Sequence, residues 1–145
     1  MSRLAVDSSV VIKWFVEEPY SSEARRILEV YENGSLSLIA PDPLYAEVGN
    51  IVWKKQAFQG LQAEDAQSIL KLFRQLRIEL VSGQELLPQA HEFAVTHKRS
   101  VYDMFYVALA VREKTAFVTA YEKLFNAVEA HFHNVVWLLN WSSAE

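Results

Sequence analysis

Arg3-Leu-Ala-Val-Asp-Ser-Ser-Val-Val-Ile-Lys-Trp-Phe15 is a short apolar run that ends in an acid and turns at once into a second apolar run. Leu4 to Val6 is too short and too tightly bounded for a helix, so it reads as a buried strand, with Ser8 or Ser9 placed to cap the helix that follows. Asp7 therefore stands where a strand gives way to a helix. A carboxylate there lies at the carboxyl edge of a sheet and near the positive end of a helix dipole, where α/β folds place their chemistry. Taken alone, Asp7 reads equally well as a helix cap.

The chain has 145 residues, 51% of them apolar, and a formal net charge of −4. That is enough chain for one domain with a substantial core. It contains no cysteine, which excludes disulfide staples and thiolate metal sites. Asp7 and Lys13 interrupt the first apolar stretch before it could serve as a signal peptide or membrane span, so a soluble, cytoplasmic protein is expected. The acidic balance argues against a sequence-independent DNA binder with a broad basic face, because such binding rests on many Lys and Arg contacts to phosphate.

Outward from this stretch, Ser21 or Ser22 can cap a helix to about Glu32, with Ala24, Ile27, Leu28 and Tyr31 on one face and Asn33-Gly34 ending it. Ser37 to Ala40 reads as a second strand, and Pro41-Asp42-Pro43 as a turn into a helix from Leu44 to about Ala57, closed by Gly60. Ala63 to Leu76 is a further amphipathic helix, Ile78 to Val81 a strand, and Glu85 to Thr96 a helix opened by Leu86, Leu87 and Pro88. Then come a strongly apolar helix from Val101 to Arg112, a strand from Thr115 to Thr119, a helix from Glu122 to Ala130 and a strand from Val135 to Leu139. Strands separated by helices throughout predict a doubly wound α/β domain with a parallel sheet covered on both faces.

Three acids lie in apolar surroundings: Asp7, Glu47 in Leu44-Tyr-Ala-Glu-Val-Gly-Asn-Ile-Val-Trp53, and Asp103 between Tyr102 and Met104. An ionised carboxylate among apolar neighbours is costly unless it is paired or binds a metal. Each alone reads equally as an acid at a helix N-terminus. Jointly they point to a divalent cation site for phosphodiester hydrolysis, because Mg²⁺ or Mn²⁺ takes oxygen ligands, keeps several waters and needs only a few carboxylates plus the substrate phosphate. Asn50, one turn beyond Glu47, would add a neutral polar contact, while Lys13 and Lys54 are candidates for the nucleic acid backbone or for plain solubility.

Other chemistries find less support. Gly34, Gly49, Gly60 and Gly83 are scattered, so there is neither a dinucleotide fingerprint nor a phosphate-cradling loop. His131-x-His133 has nothing around it that completes a zinc site, and no nucleophile turn of the Ser-His-Asp kind is present. Trp14, Phe15, Trp53, Phe105 and Tyr106 fall in apolar helical runs and read as core rather than base-stacking residues. Trp53, Phe58, Leu72 and Phe73 exceed what a small core needs, which predicts an interface and a homodimer.

Val6-Asp-Ser-Ser-Val-Val-Ile-Lys-Trp-Phe15, Pro43-Leu-Tyr-Ala-Glu-Val-Gly-Asn50 and Ser100-Val-Tyr-Asp-Met-Phe-Tyr-Val-Ala-Leu-Ala110 resemble the three successive acidic motifs of PIN-domain ribonucleases, in particular VapC-type toxins of toxin–antitoxin pairs. The likeness runs from Leu4 to about Trp137. It implies one PIN-like three-layer α/β/α domain over residues 1–145 with a mainly parallel central sheet. It also implies that Asp7, Glu47 and Asp103 are the catalytic, metal-binding acids, with Ser9 and Asn50 as supporting polar positions. A protein of this kind is expected to be an Mg²⁺- or Mn²⁺-dependent endoribonuclease, commonly dimeric, held inactive by a cognate antitoxin whose tail enters the acidic groove.

There is one departure from the pattern. After Phe117-Val-Thr119 the resembled family carries Thr-x-Asp, giving a fourth acid, whereas this chain has Thr119-Ala-Tyr121-Glu122. Glu122 is the candidate substitute, but one residue of displacement turns it by about 100° on a helix. Thr119 remains as a hydroxyl contact. The expectation is a nuclease with a complete three-acid core and an impaired fourth position; the alternative is a weak or inactive PIN-fold protein that acts by binding antitoxin or RNA.

Overall fold

The computed structural model describes residues 2–143. At its centre is β1 (Ser2–Val6), whose Leu4, Ala5 and Val6 are all buried. A strand buried on consecutive residues has both faces covered, as in a parallel sheet between helix layers. The remaining strands are β2 (Leu36–Pro41), β3 (Ile78–Val81), β4 (Ala116–Thr119) and β5 (Val135–Trp137). They form one sheet in the order β3-β2-β1-β4-β5, and every neighbouring pair is parallel.

The helices are α1 (Ser8–Phe15), α2 (Ser21–Glu32), α3 (Leu44–Phe58), α4 (Ala63–Gln75), α5 (Gly83–His97), α6 (Val101–Glu113) and α7 (Glu122–Val128). The chain steps from β1 to β2 to β3 in one direction, then jumps back across β1 to β4 and β5 in the other. With right-handed crossovers this reversal puts α1 to α4 on one face and α5 to α7 on the other. It also makes the boundary between β1 and β4 the switch point, where the carboxyl ends of neighbouring strands open a crevice. Asp7 follows β1 there, and Thr119 ends β4.

Several boundaries differ from the expected ones for local reasons. The cap of α1 is Asp7 itself, whose Oδ1 accepts from the Ser9 and Val10 amides at 3.1 and 3.3 Å. Ser21 does not cap α2: its hydroxyl donates to the Val16 carbonyl and accepts from the Glu18 amide, while Tyr20 holds the cap position at φ 72°. Helix α5 starts earlier than expected because Ser82 accepts from the Gln84 amide, so Pro88 lies inside the helix rather than opening it. Strand β5 stops at Trp137, opposite Thr119 at the end of β4, and continues as a 3-10 turn, Leu138–Asn140. Gly34 and Gly60 do end their helices in the left-handed region, at φ 87° and 78°.

The core is continuous through both layers and includes Val10, Val11, Trp14, Val48, Phe73, Met104, Leu109 and Phe117. Phe73 is 2% exposed, so it belongs to this core and corrects the expectation that it is surplus apolar surface. Trp53, Phe58 and Leu72 do stand out, at 55, 75 and 52% exposure.

Candidate active site

Asp7, Glu47 and Asp103 come from β1's exit, α3 and the first turn of α6, and all three line one pocket of about 300 Å³ at the switch point. Ser8, Ser9, Asn50, Ile51, Tyr106 and Tyr121 complete its wall. The fold thus gathers acids that lie far apart in sequence. It does so because each sits at or near the start of a helix whose apolar remainder is anchored in the core.

Asp7 is the most constrained of the three, at 6% exposure. While Oδ1 caps α1 and accepts from the Ser9 hydroxyl at 2.5 Å, Oδ2 accepts from the Thr119 hydroxyl at 2.6 Å. Those hydroxyls are themselves fixed, because Ser9 Oγ accepts from the Ala120 amide and Thr119 Oγ1 from the Tyr121 amide. The cap reading of Asp7 holds through Oδ1, while Oδ2 turns to Thr119. Burial is the largest influence on this carboxyl and lifts it to about 6, against the opposing pull of its Ser9 and Thr119 hydrogen bonds, and the charge of Asp103 adds to the rise.

Glu47 reaches across from α3 to α6, where its Oε1 accepts from the Tyr106 hydroxyl at 2.6 Å. Burial raises it to about 7, with further lifting by Asp7 and Asp103. The same contact, together with burial, pushes the Tyr106 phenol well above its ordinary value, so Tyr106 stays a donor. Its ring stacks on Phe117 with centroids 5.4 Å apart. Asp103 Oδ2 pairs with Arg99 Nη2 at 3.0 Å, and Ser100 caps α6 through the Asp103 amide.

The donors suit a hard divalent cation in kind and in charge. Three carboxylates share one pocket, and two are held above the carboxylate range by burial and by one another, a negative excess that a bound cation would relieve. Their directions are another matter: among the described residues no three His, Cys, Asp or Glu side chains stand together as a ligand set. Asp7 faces Thr119, Glu47 faces Tyr106 and Asp103 faces Arg99.

Of the remaining residues expected at the site, Ser9, Asn50 and Thr119 are at or beside the acids. Glu122 is exposed at the start of α7 and does not line the pocket. Lys13 is occupied elsewhere: with Lys55 it grips Glu18 at 3.0 and 2.8 Å, a part-buried cluster that ties α1 to α3. Burial alone would raise Glu18, but Lys55 and Lys13 outweigh it and hold the carboxyl low. Lys54 is exposed. Two residues were not expected here, Tyr106 and Arg99. Tyr106 was detectable from helical spacing, three residues after Asp103 on the face that carries the acid, whereas Arg99 precedes the helix cap and reaches Asp103 from the corner before α6.

A parallel α/β/α sandwich with an acidic pocket at its switch point defines the class of the protein, and sequence comparison gives the family. The PIN domain family model matches residues 4–130, and the chain belongs to the PIN-domain family. It is 35% identical over 114 residues to Ribonuclease VapC3 of Pyrobaculum aerophilum, covering 74% of this chain and 81% of that protein. The fold is similar to those of VapC20 of Mycobacterium tuberculosis, a sarcin-ricin loop cleaving toxin (TM-score 0.64, 14% identity, 91% of this chain and 98% of that one), and of VapBC2 of Rickettsia felis bound to a fragment of promoter DNA (TM-score 0.63, 15% identity, 93% and 96%).

Proposed function

We propose that this chain is a divalent-metal-dependent endoribonuclease and the toxin of a toxin–antitoxin pair. The observation that carries this reading is the meeting of Asp7, Glu47 and Asp103 in one pocket, in a PIN-family chain similar to a VapC ribonuclease. Asp7, Glu47 and Asp103 would hold Mg²⁺ or Mn²⁺, which when bound activates a water and neutralises charge on the phosphate. Ser9 and Thr119 fix the two oxygens of Asp7, Tyr106 orients Glu47, and Asn50 offers a neutral contact that adds no repulsion. Lys54, exposed on α3 beyond Asn50, is a candidate contact for the RNA backbone, and Lys13 acts with Lys55 in bracing α3 through Glu18.

An antitoxin partner follows from the same reading, and the exposed Trp53 and Phe58, packed edge to face at 5.7 Å, support a homodimer. Light scattering coupled to size exclusion tests the dimer; a monomer at micromolar concentration removes it. A second reading, a weakly active PIN-fold protein that binds antitoxin or RNA, is favoured by Tyr121 in the fourth position and by the outward pairing of Asp103 with Arg99.

The decisive experiment is cleavage of a mixed structured RNA pool with Mg²⁺, with Mn²⁺ and with EDTA, beside an Asp7→Asn control. Metal-dependent cleavage lost in the control is the expected result. Absence of cleavage under every condition overturns the nuclease assignment in favour of the second reading.

A further inference from the structure

A pocket walled by three carboxylates repels the polyanion it is proposed to cut, so a cation must stand beside it. Among the described residues, Arg99 is the Lys or Arg that ion-pairs with any of the three acids. Lys13 and Lys55 are held by Glu18, Arg3 by Glu79 and Glu113, and Arg112 by Glu85 and Glu113. Arg99 is fixed by the backbone as well as by its partners. Helix α5 ends at His97, Lys98 follows at φ 56°, and Ser100 caps α6, so Arg99 lies in the corner between two helices.

The guanidinium is held from one end. Its Nη2 donates to Asp103 Oδ2 at 3.0 Å and to the Tyr121 hydroxyl at 3.4 Å, and its carbon lies 5.6 Å from the centre of the Tyr121 ring. Both partners line the acid pocket. The Nη1 donors take no part in these contacts, and Nε is buried without a hydrogen-bond partner. Nε is sealed from solvent, so the open end of the fork is Nη1, which matches a phosphodiester oxygen in charge and donor geometry. Tyr121 supports the fork through its ring face and leaves Nη1 available.

We propose that Arg99 is a substrate-contacting residue that takes an RNA backbone phosphate at the mouth of the acid pocket, with Tyr121 as its positioning residue. This rests on the nuclease reading above. Asp103 orients the guanidinium and moderates its charge, and the phosphate takes the Nη1 donors that the folded chain leaves open.

The test is binding of a short fluorescent single-stranded RNA in EDTA over a series of salt concentrations, together with kcat and KM for its cleavage in Mg²⁺, using wild type, Arg99→Gln, Arg99→Lys, Tyr121→Phe and the remote control Arg112→Gln. Arg99→Gln should weaken binding about tenfold, as expected for one charge-assisted contact, and lower the salt slope by about 0.7. Arg99→Lys keeps the charge, so it should keep the slope while losing part of the affinity. Tyr121→Phe should raise KM more than it lowers kcat, and Arg112→Gln should behave as wild type. If wild type cleaves RNA while Arg99→Gln binds it with unchanged affinity and slope, Arg99 is not a phosphate contact and the nuclease reading stands. If wild type neither binds nor cleaves RNA, the nuclease reading fails and this assignment fails with it.

Discussion

Asp7→Asn should make the metal-free protein more stable while removing its proposed activity. The carboxyl is buried and lifted from an ordinary 3.8 to about 6, so at pH 8 folding must keep a charge where the fold prefers a neutral group. A rise of roughly 2 units corresponds to about 3 kcal/mol at about 1.4 kcal/mol per unit, the upper bound of what neutralisation can return. Asparagine is nearly isosteric; its oxygen can still cap α1 and its amide can donate to Thr119 Oγ1, so little is lost in exchange. For a chain of this size, 3 kcal/mol is about 6–12 °C in Tm. The pH dependence follows from linkage. Below 3.8 the carboxyl is protonated in both folded and unfolded chains and carries no penalty. Between 3.8 and about 6 the folded chain binds the proton more strongly, so wild-type stability falls as pH rises, and above 6 the penalty is constant. The advantage of Asp7→Asn should therefore be full at pH 8 in EDTA and nearly gone at pH 4. Saturating Mg²⁺ should close the gap by stabilising wild type selectively. Thermal melts of both proteins at pH 4, 6 and 8, with EDTA and with Mg²⁺, measure this. A variant less stable than wild type at pH 8 in EDTA, or an advantage undiminished at pH 4, would refute the claim that Asp7 is a buried charge whose hydrogen bonds do not fully offset its burial.

Tyr106→Phe removes the donor that favours ionised Glu47, which already stands near 7, so the acidic limb of the cleavage profile should move to higher pH; an unmoved limb means that Glu47 does not titrate in the reaction. The same variant should lose about 1–2 kcal/mol of stability in denaturant unfolding, the usual cost of stranding a buried acceptor. Tyr121→Asp restores the acid of the resembled family and should raise Mg²⁺-dependent cleavage several-fold if the fourth position limits activity; no gain in an active protein shows that Tyr121 does no damage. Glu18→Gln leaves Lys13 and Lys55 facing each other without a counter-charge, so it should lower stability by about 3 kcal/mol in urea unfolding, and a change under 1 kcal/mol would show that the cluster does not brace α1 against α3.

The parallel sheet and its order of elements were legible because each signal was local. Leu4-Ala-Val6 and Phe117-Val-Thr119 are short runs buried on consecutive residues, and the amphipathic faces of α2 and α4 repeat at helical spacing. The three acids drew attention for a different reason, as charges in apolar company that a helix N-terminus explains singly but not jointly. The fates of the lysines were not. Lys13 meets Glu18 and Lys55 only through the packing of α1 on α3, and nothing in the spacing of Ile12-Lys13-Trp14 distinguishes an ion-paired lysine from one on a nucleic acid surface.

The same contrast explains what lies between recognition of the acids and an assembled centre. Sequence places a carboxylate on an element, whereas its direction is set by whichever donor the fold brings nearest. Here those donors are Thr119 from β4, Tyr106 from α6 and Arg99 from the corner between α5 and α6. Each hydrogen bond lowers the cost of a charge that the fold has pulled from water, and each holds that charge away from its neighbours. These contacts are what the chain itself offers to three acids in one pocket. On the proposed reading a divalent ion would compete with a tyrosine for Glu47 and with a guanidinium for Asp103, while Asp7 could keep both hydroxyls and still offer oxygen lone pairs. On that reading, metal affinity should accordingly be governed by Arg99 and Tyr106 as much as by the carboxylates themselves.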